Sequence, residues 1–213
     1  MKQIFKWSIP FSVENACYTL LTMVIANATA AFGADALAAA RVGSQLEALA
    51  FLVGGGFASG LAAFVGQNYG ARKFKRIKEG VRTSIVLMTI YGTAITLFLV
   101  FGARVLMSFF FQNEDVIHLG IMYLRIIGAV QLFACLEFIA AGAFRGMGKT
   151  KPPSVISITF NALRIPVALG LGATHLGLYG IWLGMAIVNA LRAVALLLWY
   201  VKRGDGGAPS RSE

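Results

Sequence analysis

Seven charged side chains of this 213-residue chain lie inside apolar stretches: Glu14, Glu47, Glu137, Arg41, Arg125, Arg164 and Arg192. A charge placed within hydrocarbon costs at least ~2.5 kcal/mol on insertion scales, so such groups face a water-filled cavity or one another. The chemistry open to them is exchange. A carboxylate that trades an arginine partner for a proton or a Na+ changes its charge and its desolvation cost, which is the elementary step of an ion-coupled device. The tetrapeptide Asn-Ala-Leu-Arg occurs twice, as Asn161 to Arg164 and as Asn189 to Arg192. Residues three apart share a helix face, so each copy presents an amide and a guanidinium together. Glu47 and Glu137 are the natural acidic partners for these arginines, and Arg164 reads as a static brace. Arg41 falls near an outer membrane boundary, and Glu14 falls either at the inner boundary or within the first apolar run.

The elements that must position these groups are transmembrane helices. Hydrophobic residues make up 58% of the chain, charged residues 13%, and the mean hydropathy is +0.74, against roughly 25% charged residues in soluble domains. Six spans of about 20 or more residues, enough to cross ~30 Å of hydrocarbon, fit residues 8–32, 36–69, 81–101, 116–144, 154–172 and 179–201. The second exceeds the bilayer thickness, residues 104–115 form an outer connection with a short amphipathic piece, and residues 204–213 form a polar tail expected to be disordered. A formal net charge of +10 would suggest nucleic acid in a soluble protein. Here the basic residues sit between spans and act as topology determinants, so no nucleic-acid partner is expected. Lys2, Lys6, Arg72, Lys73, Lys75, Arg76, Lys78, Arg82, Arg145, Lys149, Lys151, Lys202 and Arg203 fall on one side and Arg104 alone on the other. Cationic segments resist translocation, which puts both termini in the cytoplasm. Membrane lipids are thus partners, and a bacterial cytoplasmic (inner) membrane is the expected location.

Several chemistries are missing from the pattern. Cys17 and Cys135 stand in apolar surroundings without a CxxC or Cys/His grouping, so neither a disulfide framework nor a metal site is expected. His118 and His175 fall at outer boundaries, and Ser44 and Ser59 lack a His/Asp partner. The segment ending in Gly148-Lys149-Thr150 has Ala143 where a phosphate-binding loop requires its first glycine. No enzymatic activity and no cofactor beyond a coupling ion are expected. Small residues recur four apart at Gly56 and Gly60, Gly66 and Gly70, Gly142 and Gly146, and Gly180 and Gly184, a spacing that lets helix backbones pack closely in lipid.

The second span ends in Val65-Gly66-Gln67-Asn68-Tyr69-Gly70-Ala71, and the fourth in Ala140-Ala141-Gly142-Ala143-Phe144-Arg145-Gly146-Met147-Gly148-Lys149-Thr150. Arg164-Ile165-Pro166 and Gly180-Ile181-Trp182-Leu183-Gly184 follow in the fifth and sixth. In order and spacing this resembles the C-terminal six-helix lobe of the multidrug and toxic compound extrusion (MATE) transporters. The resemblance implies an all-α membrane bundle forming one of two lobes, with Gly66, Gln67, Gly70, Arg145 and Gly146 in its cytoplasmic motif. It further implies export of cationic or amphipathic small molecules by alternating access, driven by Na+ or H+. Glu47 fits family branches with an acid in the middle of this helix, while Glu14 and Glu137 sit about a turn from the expected positions. A second six-helix lobe, self or another chain, is the implied partner, and the sequence reads as a fragment, a truncated product or a dimerising half. A lipid-linked precursor flippase and a non-transporting remnant are the alternatives.

Overall fold

The computed structural model describes residues 19–203. Within them the chain is nearly all helix: α1 (Thr19–Ala30), α2 (Ala34–Gly70), α3 (Phe74–Phe101), α4 (Ala103–Ser108), α5 (Glu114–Gly128), α6 (Gln131–Gly146), α7 (Lys151–Gly172) and α8 (Gly177–Arg203). Lys2, Lys6, Glu14, Cys17, the start of the expected first span and the 204–213 tail lie outside the described residues. Among the described residues four helices are long and apolar enough to cross a membrane, and the bent pair α5–α6 passes the same test when taken as one span. At ~1.5 Å per residue the 37-residue α2 reaches about 55 Å, well beyond the hydrocarbon.

Local sequence accounts for the helix ends. Asn113 caps α5 by accepting from the Asp115 N–H at 2.9 Å, with Glu114 and Asp115 in its first turn and Arg125 in its last. That order suits the helix dipole at both ends. α7 begins on Lys151-Pro152-Pro153, where proline's missing N–H costs no hydrogen bond.

Two expected boundaries are corrected. The basic segment after α2 is not a long connector: only residues 71–73 lie outside helices, and α3 starts at Phe74 rather than near residue 81. Arg72 makes the reversal at φ 55°, and the Lys73 N–H donates to the Asn68 carbonyl at 2.8 Å. Beyond this turn Lys and Arg are good helix formers, so the helix extends past the apolar residues into the aqueous boundary. The expected fourth span is two helices, α5 and α6, bent by 43°. The break follows Gly128, where a Cβ would stand 3.0 Å from Leu99 of α3, so close approach to α3 and a poor helix former coincide.

The bundle has two apolar layers. One gathers Met107, Tyr123, Leu124, Ile127, Ile181 and Trp182, and the other Val65, Ile77, Val81, Ile139, Phe144 and Leu196. α2 packs on α3, α5 and α6, and α6 also meets α3 and α8, whereas α7 is held chiefly by α8.

The four glycine pairs divide. A Cβ at Gly142 would lie 2.7 Å from the Ala58 carbonyl oxygen, and one at Gly146 would lie 2.6 Å from that of Ala62. These two glycines let α6 touch the α2 backbone. Gly184 likewise approaches Ala168 of α7. At Gly56, Gly60 and Gly70 a Cβ meets nothing within 4 Å, so the close-packing expectation fails for these, whereas one at Gly66 would lie 3.4 Å from the Gly146 carbonyl oxygen of α6. Gly142→Leu is therefore expected to destabilise the bundle by about 1–3 kcal/mol or more, and Gly60→Leu to leave it folded. Thermal unfolding of both variants in mild detergent checks the contrast; equal midpoints would refute the assigned packing.

Candidate functional site

Between the two apolar layers, five helices bring charged and polar side chains together. From α8, the Arg192 Nε lies 2.9 Å from Glu137 Oε1 of α6 and donates to Oε2 at 3.1 Å. Its Nη1 donates to Asn161 Oδ1 of α7 at 3.2 Å. The Arg192 and Glu137 side chains are 19% and 16% exposed, and Asn161 is buried. One guanidinium thus ties three helices, using its fork of donors as a lysine could not.

Glu47 of α2 is half-buried beside the same group. Its carboxylate is hydrogen-bonded by the Tyr123 side chain of α5 and sits in the electrostatic field of Arg164 first and Arg192 second. Tyr123 reaches it because its ring lies over Gly43, one helical turn before Glu47; a Cβ there would collide with the ring. Trp182 packs edge-on to that ring at 5.3 Å between centroids, which fixes its orientation. The two acids and two arginines are formally balanced. A site of this kind can exchange partners: neutralising Glu47 with a proton, or shielding it with a cation, removes its pull on Arg164 and Arg192.

Of the residues singled out from sequence, Glu47, Glu137, Asn161, Arg164 and Arg192 are drawn into this cluster. The first Asn-Ala-Leu-Arg copy contributes both of its polar ends. The second contributes Arg192 alone, since Asn189 is half-buried and outside these bonds. Glu14 lies outside the described residues. Arg41 and Arg125 are exposed. Of the cytoplasmic motif, Gly66 and Gly146 meet where the ends of α2 and α6 cross, Gln67 and Gly70 are exposed, and the Arg145 Nε donates to the Ala141 carbonyl of its own helix at 3.3 Å. Sequence reasoning missed Tyr123. The available signal was a phenol in the interior of an apolar span, where its hydroxyl needs a partner. Among the described residues no group of three or more His, Cys, Asp or Glu side chains could hold a metal ion.

Residues 10–169 match the model of the MatE family. The chain is 27% identical over 202 residues to the probable multidrug resistance protein NorM of Thermotoga maritima, covering 94% of this chain and 44% of that one. Over 163 residues it is 25% identical to the human multidrug and toxin extrusion protein 1, covering 76% of this chain and 29% of the relative. An inward-facing MATE transporter of the MOP superfamily superposes with TM-score 0.87 at 18% identity, over 98% of this chain and 49% of its own length. The chain thus spans about half the length, or less, of the proteins it matches.

Proposed function

Because the chain belongs to the MatE family, a family of membrane transporters, we propose that it acts as the C-terminal-type six-helix lobe of a secondary exporter driven by Na+ or H+. The observation that carries this reading is Glu47 of α2, a carboxylate held by Tyr123 of α5 in the field of Arg164 of α7 and Arg192 of α8. An ion that neutralises Glu47 relaxes the attraction holding α2 to α7 and α8, and a vectorial gradient can thereby bias the bundle between two arrangements. Among the described residues the Glu137–Arg192–Asn161 bridge is the fixed part of the cluster.

The substrates are amphipathic or cationic small molecules, and the working unit includes a second six-helix lobe, from another copy or another chain. Arg125 supports the latter. It is exposed on the bundle surface about eleven residues, or ~16 Å, into α5, a depth at which it needs an aqueous cavity or a polar partner rather than lipid. The basic connectors support a reading with both termini on the cytoplasmic side of a bacterial inner membrane. A lipid-linked precursor flippase would favour a strongly cationic cavity; the balance of Glu47 and Glu137 against Arg164 and Arg192 favours the exporter.

Reconstitution into sealed vesicles, alone and with a candidate second lobe, tests the reading. Dye extrusion should rise when an inward Na+ or H+ gradient is imposed and stop when it is collapsed. Indifference to both gradients in every combination would refute it.

A further inference from the structure

Beside α2 and α3, away from the charged cluster, a crevice of about 580 Å³ opens on the bundle surface, lined by Gly56, Gly60, Leu61, Phe64, Gly80 and Thr83 among others. Its walls are mostly apolar, and the missing side chains at Gly56 and Gly60 create its depth, since a Cβ at either meets nothing within 4 Å. Phe64 closes one wall by lying over Gly80. Thr83 and Ser84 add two hydroxyls.

The cytoplasmic end of this crevice is cationic. On α3, Gly80, Thr83 and Ser84 share a face with Arg76, which precedes Gly80 by four residues, and Lys73 stands at the N-cap of that helix. Both are exposed, as are Gln67 at the end of α2 and Arg72 in the turn. Lys75, Lys78 and Arg82 point to the opposite side of α3, and Glu79 lies between the two faces. From Arg76 to Gly80 and Ser84 is about 6–12 Å along the helix, within the ~15 Å depth of one hydrocarbon leaflet.

From this juxtaposition we infer that the α2–α3 crevice binds one anionic phospholipid of the cytoplasmic leaflet, with an acyl chain along Gly56, Gly60 and Phe64 and its phosphate at Lys73 and Arg76. An apolar slot that ends in cations at headgroup depth matches a negatively charged lipid. A second copy of the chain is a poorer occupant, because it would bring its own basic turn against this one. The inference rests on the membrane placement of the bundle and is independent of the transport reading.

The test uses the full chain in mild detergent, with phosphatidylglycerol retention followed by native mass spectrometry and by thermal shift. Phosphatidylcholine and inorganic phosphate serve as the comparison ligands. Phosphatidylglycerol is expected to bind in preference to both. Lys73→Gln with Arg76→Gln should weaken it about thirtyfold, while Lys75→Gln with Lys78→Gln, an equal charge change on the other face, should alter it less than about threefold. Gly60→Leu, which fills the slot without a clash, should also weaken binding. Should a variant not fold, Gly60→Ala and the single Arg76→Gln supply the same comparison. Equal losses from the two charge pairs would reduce the effect to diffuse attraction and overturn the site. So would equal binding of phosphatidylcholine, unaltered binding by Gly60→Leu, stabilisation by phosphate alone, or a dimer sealed through the Gly60 face.

Discussion

Replacing Arg192 by alanine is expected to cost about 3–5 kcal/mol of stability, the largest single effect available in this bundle. The substitution removes both bonds to Glu137 and the bond to Asn161, leaving a carboxylate and an amide in a site where each is mostly enclosed. The larger part of the cost is the loss of the guanidinium from a mostly enclosed carboxylate, so removing both partners should be far milder. Glu137→Leu combined with Arg192→Leu is expected to recover most of the loss, since a buried ion pair exchanged for packed apolar groups is often close to neutral. Thermal unfolding of the two single variants and the double variant in one detergent forms the cycle. Additive losses across the cycle would mean that the pair does not act as a unit.

The second large effect is functional. Glu47→Gln keeps the size of the side chain and its contact with Tyr123, while fixing the group in its neutral state. If ion exchange at Glu47 biases the helices, the amide should uncouple extrusion from the gradient. Coupling energies between sites run about 1–3 kcal/mol, so gradient-driven efflux should fall at least about fivefold. Insertion and thermal stability should remain near those of the parent chain, because Arg192 keeps its bonds to Glu137 and Asn161. Efflux equal to the parent under the same gradient would remove Glu47 from the mechanism. Loss of folding would instead make Glu47 a structural anchor for Arg164.

Much of the architecture is legible in the residue order. Length and hydropathy place the spans because a membrane helix must be apolar for about twenty residues. The Asn113 cap, the Pro152-Pro153 start of α7 and the basic run after Gly70 are equally local. The departures fell at a helix start and where a third helix intervened. The break between α5 and α6 coincides with the approach of Leu99 to Gly128, and a lone glycine in residues 116–144 does not by itself distinguish a bend from a continuous span. α3 began early because exposed Lys and Arg residues continue a helix as readily as they form a turn. Glycines four residues apart carried the same prediction at Gly142–Gly146 and at Gly56–Gly60, yet one pair grips α2 and the other opens a crevice.

For the candidate site, residue type gave the members and left the partners unresolved. A charge in an apolar run is improbable without compensation, so Glu47, Glu137, Arg164 and Arg192 announce themselves through desolvation cost, a property of each residue in its own segment. Which acid meets which arginine depends on helix rotation and depth. Arg192 and Glu137 are 55 positions apart, and Arg192 reaches Asn161 across a helix pair, while the twin amide Asn189 stays outside. Tyr123 entered only because Gly43 leaves room for its ring beneath Glu47. By itself the sequence determined the membrane class, the helical content and the list of costly charges, because each follows from transfer energies and propensities along a single segment. The tertiary structure decided the pairing, the bent α5–α6 span and the fate of each glycine pair, because these depend on which faces five helices turn toward one another.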